Sequence, residues 1–170
     1  PQKDWLGYYC EHFATVEINN SFYQLPSRST FEDWRKGSPR GLVFAVKMSR
    51  YLTHMKKLKD PEGPLAKFFD EASGLGRKMG PILFQLPPNY KAHPERLAEL
   101  LSHKKSKRKQ RWVLEFRNRD WFQDEVLEVL RRHGAGFCVQ DLTPRCPTVA
   151  TADFAYIRFH GDAKHNGNYA

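Results

Sequence analysis

Two hydrophobic rhythms alternate along this chain. Short runs that are apolar at every second position, or on both faces, read as strands over Phe13–Asn19, Leu42–Lys47, Pro81–Leu86, Trp112–Phe116, Gly136–Asp141 and Phe154–His160. Between them, apolar residues recur at helical spacing. Thr30 is the expected N-cap of a short helix through Trp34 and Lys36. A second helix begins at Pro64 with Leu65, Phe68, Phe69 and Ala72 on its apolar stripe, and a third runs from Pro94 to Leu101. A fourth runs from Trp121 through Val126, Leu127 and Leu130 to a stop at Gly134. Tyr8 to His12 reads as the tail of a helix or a loop. Asn20 to Ser29, and the stretch holding Arg50, Thr53 and His54, read as loops.

Strand and helix alternating at the ~30-residue spacing of βαβ units excludes a helix bundle or a sandwich. It leaves an open doubly wound sheet or a closed barrel. No strand is followed by the glycine-rich turn of a dinucleotide fold, and no Gly-x-x-x-x-Gly-Lys loop occurs. The strand ends then favour an α/β barrel of the TIM (β/α)8 type. They carry Glu17 and Asn19, Lys47, Gln85, Glu115 and Arg117, Asp141, and Arg158 and His160. In such a barrel the carboxyl ends of the strands surround one mouth, where active sites are built. About six strands are recognisable, with a first and a last strand expected outside this sequence, because six do not close a barrel of this kind.

Period two puts Val113, Glu115 and Arg117 on one face of the central strand, and Trp112, Leu114 and Phe116 on the other. Glu115 therefore points into the mouth if the second set packs against helices. It is the first candidate for a general acid or base, with Glu17 or Asp141 as its opposite number and His160 grouped with them as a catalytic candidate. Lys47, Arg117 and Arg158 are expected to hold an anionic group. Asn19, Tyr23, His54, Gln85 and Trp121 complete the expected binding set, with Tyr23, Trp121 and Tyr169 as aromatics that can stack on a base or a sugar ring. The competing reading is that these charges pair and plug the barrel. It is disfavoured because burying charge costs more than packing apolar groups.

No cofactor is expected. His54, His160 and His165 with three acids contain metal-ligand types, so a divalent metal is allowed. It is not favoured, because no His-Glu-x-x-His occurs and three cations crowd the ring. A Ser-His-Asp triad lacks a nucleophile elbow.

Composition adjusts this picture at three points. A chain of 170 residues holds one substantial core, so residues 1–170 are read as a single domain. The net charge of +9 owes six charges to one connection, Lys104, Lys105, Lys107, Arg108, Lys109 and Arg111, which without aromatic interleaving reads as a solvated loop tip rather than a nucleic-acid patch. Lying before a strand, that run is expected on the amino-terminal face, away from the mouth. Cys10, Cys138 and Cys146 form no close pair, and Cys138 reads as a small core residue. With no apolar run long enough to span a bilayer and no apolar leader, the expectation is a soluble cytoplasmic protein with no membrane partner.

Several blocks together resemble a known family. They are Thr15-Val-Glu-Ile-Asn-Asn-Ser-Phe-Tyr23, Lys47 with Arg50 and Thr53-His54, Pro81-Ile-Leu-Phe-Gln-Leu-Pro-Pro88, Glu115-Phe-Arg117 with Trp121, Asp141, and Tyr156-Ile-Arg-Phe-His-Gly161. In order and spacing they resemble the YecE-like family, domain of unknown function 72, across nearly the whole chain. The resemblance implies a TIM barrel distantly similar to endonuclease IV and xylose-isomerase-type barrels, and implies no established activity. Its usual opening strand ending in Gly-Trp and its closing strand with an Asn-Asn-Asp end are missing here.

Three functions compete. The first is an enzyme doing acid–base or phosphoester hydrolysis on a nucleic-acid or sugar-phosphate-like substrate. The second is a non-catalytic module for a small anionic ligand or nucleic acid. The third is a glycosidase built on paired carboxylates.

Overall fold

The structure, a computed structural model, describes residues 5–104 and 110–161. Six strands form one parallel sheet in chain order: β1 (Thr15–Ile18), β2 (Val43–Lys47), β3 (Met79–Leu86), β4 (Trp112–Phe116), β5 (Gly136–Gln140) and β6 (Tyr156–Arg158). Helix α1 (Trp5–His12) precedes β1, and α2 (Arg28–Lys36), α3 (Glu62–Ala72), α4 (Pro94–Ser102) and α5 (Asp124–Arg132) each link one strand to the next. The β5–β6 link has no helix among the described residues. Thr151 holds it to β5 instead, donating from Oγ1 to the Ala135 carbonyl (2.7 Å) and accepting from the Phe137 N–H (2.8 Å).

Strand β4 is buried at all of its residues. Its outward side chains Trp112, Leu114 and Phe116 join Phe44, Val46, Ile82, Phe84 and Phe137 from neighbouring strands in one core beneath the helices. The helices contribute Phe31, Phe68, Leu97, Leu100, Val126 and Leu130. Each such side chain adds about 1.5–3 kcal/mol on burial, so this layer carries most of the stability. The inward face is small by comparison. Leu83, Val113 and Cys138 form a separate apolar cluster with Phe154 and Tyr156 against it. Burial, then Glu115, pushes the Cys138 thiol up and out of the reactive range, as suits a core residue.

The sheet is curled. Laid flat, β1 and β6 would lie about 24 Å apart at the usual strand spacing. Instead Arg158 on β6 meets Glu17 on β1 at 2.8 Å, and the Tyr156 hydroxyl donates to the same carboxylate at 2.6 Å. The result is a parallel half-barrel whose concave face gathers residues from both edges.

Local chemistry moves several expected boundaries. Ser27, not Thr30, caps α2: its hydroxyl accepts from the Thr30 N–H at 3.3 Å, so Thr30 lies one turn inside. Asn20–Phe22 is a 3-10 turn. The stretch after β2 is a π-helical turn, Tyr51–Met55, followed by Lys57, Leu58 and Asp60 at positive φ (49°, 66° and 43°). Such left-handed residues without glycine are costly and need support. It comes from the buried Leu58 side chain and from the Tyr90 hydroxyl, which donates to the Lys57 carbonyl at 2.7 Å. Gly134, at φ 56°, follows α5 as expected. Of the basic run, Lys105, Lys107, Arg108 and Lys109 fall outside the described residues. Lys104 donates to the carbonyls of His133 (2.9 Å) and Gly134 (2.6 Å) at the amino-terminal side of β5.

Candidate functional site

Strand alternation delivers the mouth. Register places Gln85 beside Glu115, and Gln140 beside Arg158, on the face that carries Val113 and Cys138. Glu115 is fully buried. One of its oxygens accepts from Arg117 Nε and the other from Arg158 Nη1 at 2.6 Å. Arg158 Nη2 reaches Glu17 Oε1 at 2.8 Å, and Tyr156 occupies Glu17 Oε2. Two carboxylates and two guanidiniums thus compensate one another with every carboxylate oxygen in use. Burial works against the charge on Arg158, but Glu115 and then Glu17 outweigh it and raise its pKa.

The chain of contacts continues past the strand ends. Arg117 Nη2 lies 2.8 Å from His160 Nε2, and His160 Nδ1 lies 3.1 Å from Asp141 Oδ1. A guanidinium only donates, so Nε2 is the acceptor and the imidazole carries its hydrogen on Nδ1, directed at Asp141. The His160 backbone N–H also donates to Asp141 Oδ1 at 2.9 Å.

The other side of the mouth is built differently. Lys47, at the carboxyl end of β2, has an ammonium that meets no carboxylate or other hydrogen-bond partner among the described residues, while its carbonyl accepts from Ser21 Oγ at 2.7 Å. Its ammonium sits over the Phe22 ring, 4.3 Å from the centroid. Burial, then Arg158, lowers its pKa, with Glu115 and Glu17 opposing. His54 packs edge-on against the same Phe22 ring at 4.8 Å. Thr53 Oγ1 lies 3.1 Å from the Ser49 carbonyl and 2.9 Å from His54 Nδ1. A hydroxyl has one hydrogen and a carbonyl only accepts. Both contacts are satisfied only when Thr53 donates to Ser49 and His54 Nδ1 donates to Thr53. His54 Nε2 is then a bare lone pair. Burial, followed by Lys47 and Arg50, lowers the His54 pKa and favours this neutral form. No buried side-chain nitrogen or oxygen lacks a partner among the described residues, so Lys47 Nζ and His54 Nε2 are open to solvent.

A family model described as "Protein of unknown function DUF72" matches residues 1–170. The chain belongs to the DUF72 family. This bears out the resemblance read from the sequence blocks. The UPF0759 protein YunF of Bacillus subtilis is 29% identical over 94% of this chain, and the match spans 62% of that relative. A DUF72 structure from Thermotoga maritima superposes with a TM-score of 0.81 at 29% identity, covering 97% of this chain and 67% of that one. A DUF72 structure from Enterococcus faecalis gives 0.76 at 18% identity over 92% of this chain and 69% of that one, which shows a shared fold. The chain therefore spans less than two thirds of YunF.

Of the residues singled out in the sequence, Glu17, Glu115, Arg117, Asp141, Arg158 and His160 form one connected network, and Lys47 and Gln85 line the same face. His54 stands beside Lys47. Asn19 is exposed and makes no side-chain cap to the turn that follows. Tyr23 is 73% exposed and touches only the edge of Phe22 among rings. Trp121 is a correction. It is fully buried, stacked on Phe116 at 4.8 Å, with Nε1 donating to the Tyr90 carbonyl at 2.7 Å, so it packs the outer core and presents no face to a ligand. His165 and Tyr169 fall outside the described residues. No group of three or more metal-ligand side chains gathers among the described residues. Sequence reasoning gave no site role to Tyr156, Phe22 or Thr53. Tyr156 shares the inward face of Arg158 by period two, which was signal enough. Phe22 and Thr53 matter only through packing and through a hydroxyl's single hydrogen, which carry no pattern.

Proposed function

We propose that the mouth binds the anionic group of a small molecule. The observation that carries this reading is Lys47, a half-buried cation with no carboxylate partner among the described residues, set beside two guanidiniums already neutralised by Glu17 and Glu115. An incoming anion completes the charge balance at Lys47 without breaking any existing pair. Arg117 and Arg158, held rigid by Glu115, supply a preorganised polar wall. Glu115 is in this reading a positioning residue rather than a proton-transfer group, because both of its oxygens are engaged. The same argument weighs against a glycosidase, which needs one carboxyl of a pair to hold a proton for the leaving group. Hydrolysis of a phosphoester is compatible with the anion site but draws no support from Glu17 or Glu115. The parallel strands in chain order and the contacts between β1 and β6 across the concave face support a TIM-type (β/α)8 barrel as the complete fold.

Calorimetric titration with inorganic phosphate tests the reading. Saturable binding by the wild type, abolished in Lys47→Met, is expected. Binding that is absent, or equal in the two proteins, contradicts it.

A further inference from the structure

Two groups in the open half of the mouth have complementary chemistry. Lys47 offers charge and hydrogen-bond donors. His54 offers a lone pair, fixed there because Thr53 consumes the Nδ1 hydrogen. A binding site built only to attract negative charge has no use for an acceptor, since a lone pair repels a fully ionised oxyanion. Both groups rest against one phenyl ring, Phe22. The edge-on contact with that ring helps hold the His54 ring in place. The π-helical turn that carries Thr53 and His54 is itself fixed, through the buried Leu58 and the Tyr90–Lys57 hydrogen bond.

Resting on the anion-binding reading above, we propose that this site selects an oxyanion that still carries a hydrogen at neutral pH, inorganic phosphate, with His54 Nε2 accepting that hydrogen while Lys47 holds the charge. Sulfate, of nearly the same size and shape, has no hydrogen to give at neutral pH. A phosphodiester has none either, so a nucleic-acid backbone is rejected by the same lone pair. Discrimination arises because the wrong anion leaves one buried-edge acceptor facing another, and a site built for a hydrogen bond rejects the analogue that lacks it. The groups facing His54 are Lys47 from β2, Arg50 at the head of the turn, and the uncharged Phe22 and Thr53. Among the described residues none of these is an acid that would compete for the ligand's place.

The test uses inorganic phosphate, sulfate and dimethyl phosphate as probes at neutral pH, titrated calorimetrically into the wild-type chain and into His54→Phe, which removes the lone pair and keeps a ring against Phe22. The wild type is expected to prefer phosphate over sulfate, and phosphate over dimethyl phosphate, by about tenfold or more. In His54→Phe both preferences collapse while sulfate still binds. Equal affinity for phosphate and sulfate in the wild type, or a preference that survives in His54→Phe, overturns the proposal and leaves the anion site standing. Failure of every probe to bind overturns the anion site as well. A second measurement needs no variant: imidazole nitrogen chemical shifts must show His54 with its hydrogen on Nδ1. A hydrogen on Nε2 overturns the proposal outright.

Discussion

The two halves of the mouth solve opposite problems with similar residues. On the β4–β6 side, Glu115, Arg117, Arg158, Glu17 and Tyr156 close on one another, and His160 and Asp141 extend the chain to the strand ends. On the β2 side, Lys47 and His54 stand against Phe22 with a charge and a lone pair unanswered among the described residues. The first half pairs its charges with one another, so it carries little charge that still needs a partner. The second has been left incomplete at some cost, which burial and Arg158 impose on Lys47 by lowering its pKa. The lesson is that a ring of charged strand ends is not a uniform site. One half is closed on itself, and the other holds the groups proposed to receive the anion.

The largest test of that division is Glu115→Gln. The amide leaves one guanidinium facing a donor in a fully buried position. The expected loss is about 3–5 kcal/mol of stability, read by urea denaturation. A variant that unfolds with the wild type would dissolve the distinction between the halves.

Trp121→Phe gives an intermediate effect of about 1–2 kcal/mol, from loss of the hydrogen bond to the Tyr90 carbonyl, with phosphate binding unchanged. A fall in phosphate affinity at constant stability would return Trp121 to the ligand.

Lys47→Met is expected to act in the opposite direction and least strongly. It should stabilise the protein by on the order of 1 kcal/mol while abolishing phosphate binding. The sign follows from linkage. Lys47 titrates below its ordinary 10.5 in the folded protein, so between those two values the unfolded chain holds more protons, and wild-type stability rises with pH. The advantage of Lys47→Met should therefore shrink as pH climbs through that window, followed by thermal melts of both proteins. An advantage that is constant with pH would mean that Lys47 is not under strain.

How much of this was legible beforehand depends on range. The alternation of strands and helices, and the face shared by Val113 and Glu115, follow from local periodicity, and the structure has them as read. The pairing of Glu115 with arginines was the reading set aside, on the ground that buried pairs are costly. That reasoning weighed a charge cluster as one object, whereas here the pairs fill one side only. The junction of Glu17 with Arg158 and Tyr156 joins residues more than a hundred positions apart, and only the curl of the sheet brings it about. Trp121 was misjudged because a tryptophan just past a strand end looks the same whether it turns inward to the mouth or outward beneath Tyr90. The capping of α2 by Ser27 rather than Thr30 is a slip of one helical turn within a polar run, Ser27-Arg-Ser-Thr30, where three of the four residues are cap types.

Carbon-13 NMR of the lysine side chains, with Lys47 assigned by the Lys47→Met spectrum, reads the central claim at its own atom. The account predicts a Lys47 titration midpoint below its ordinary 10.5 in the free protein, moving upward when phosphate is added. A Lys47 that titrates at 10.5 and ignores phosphate would contradict it.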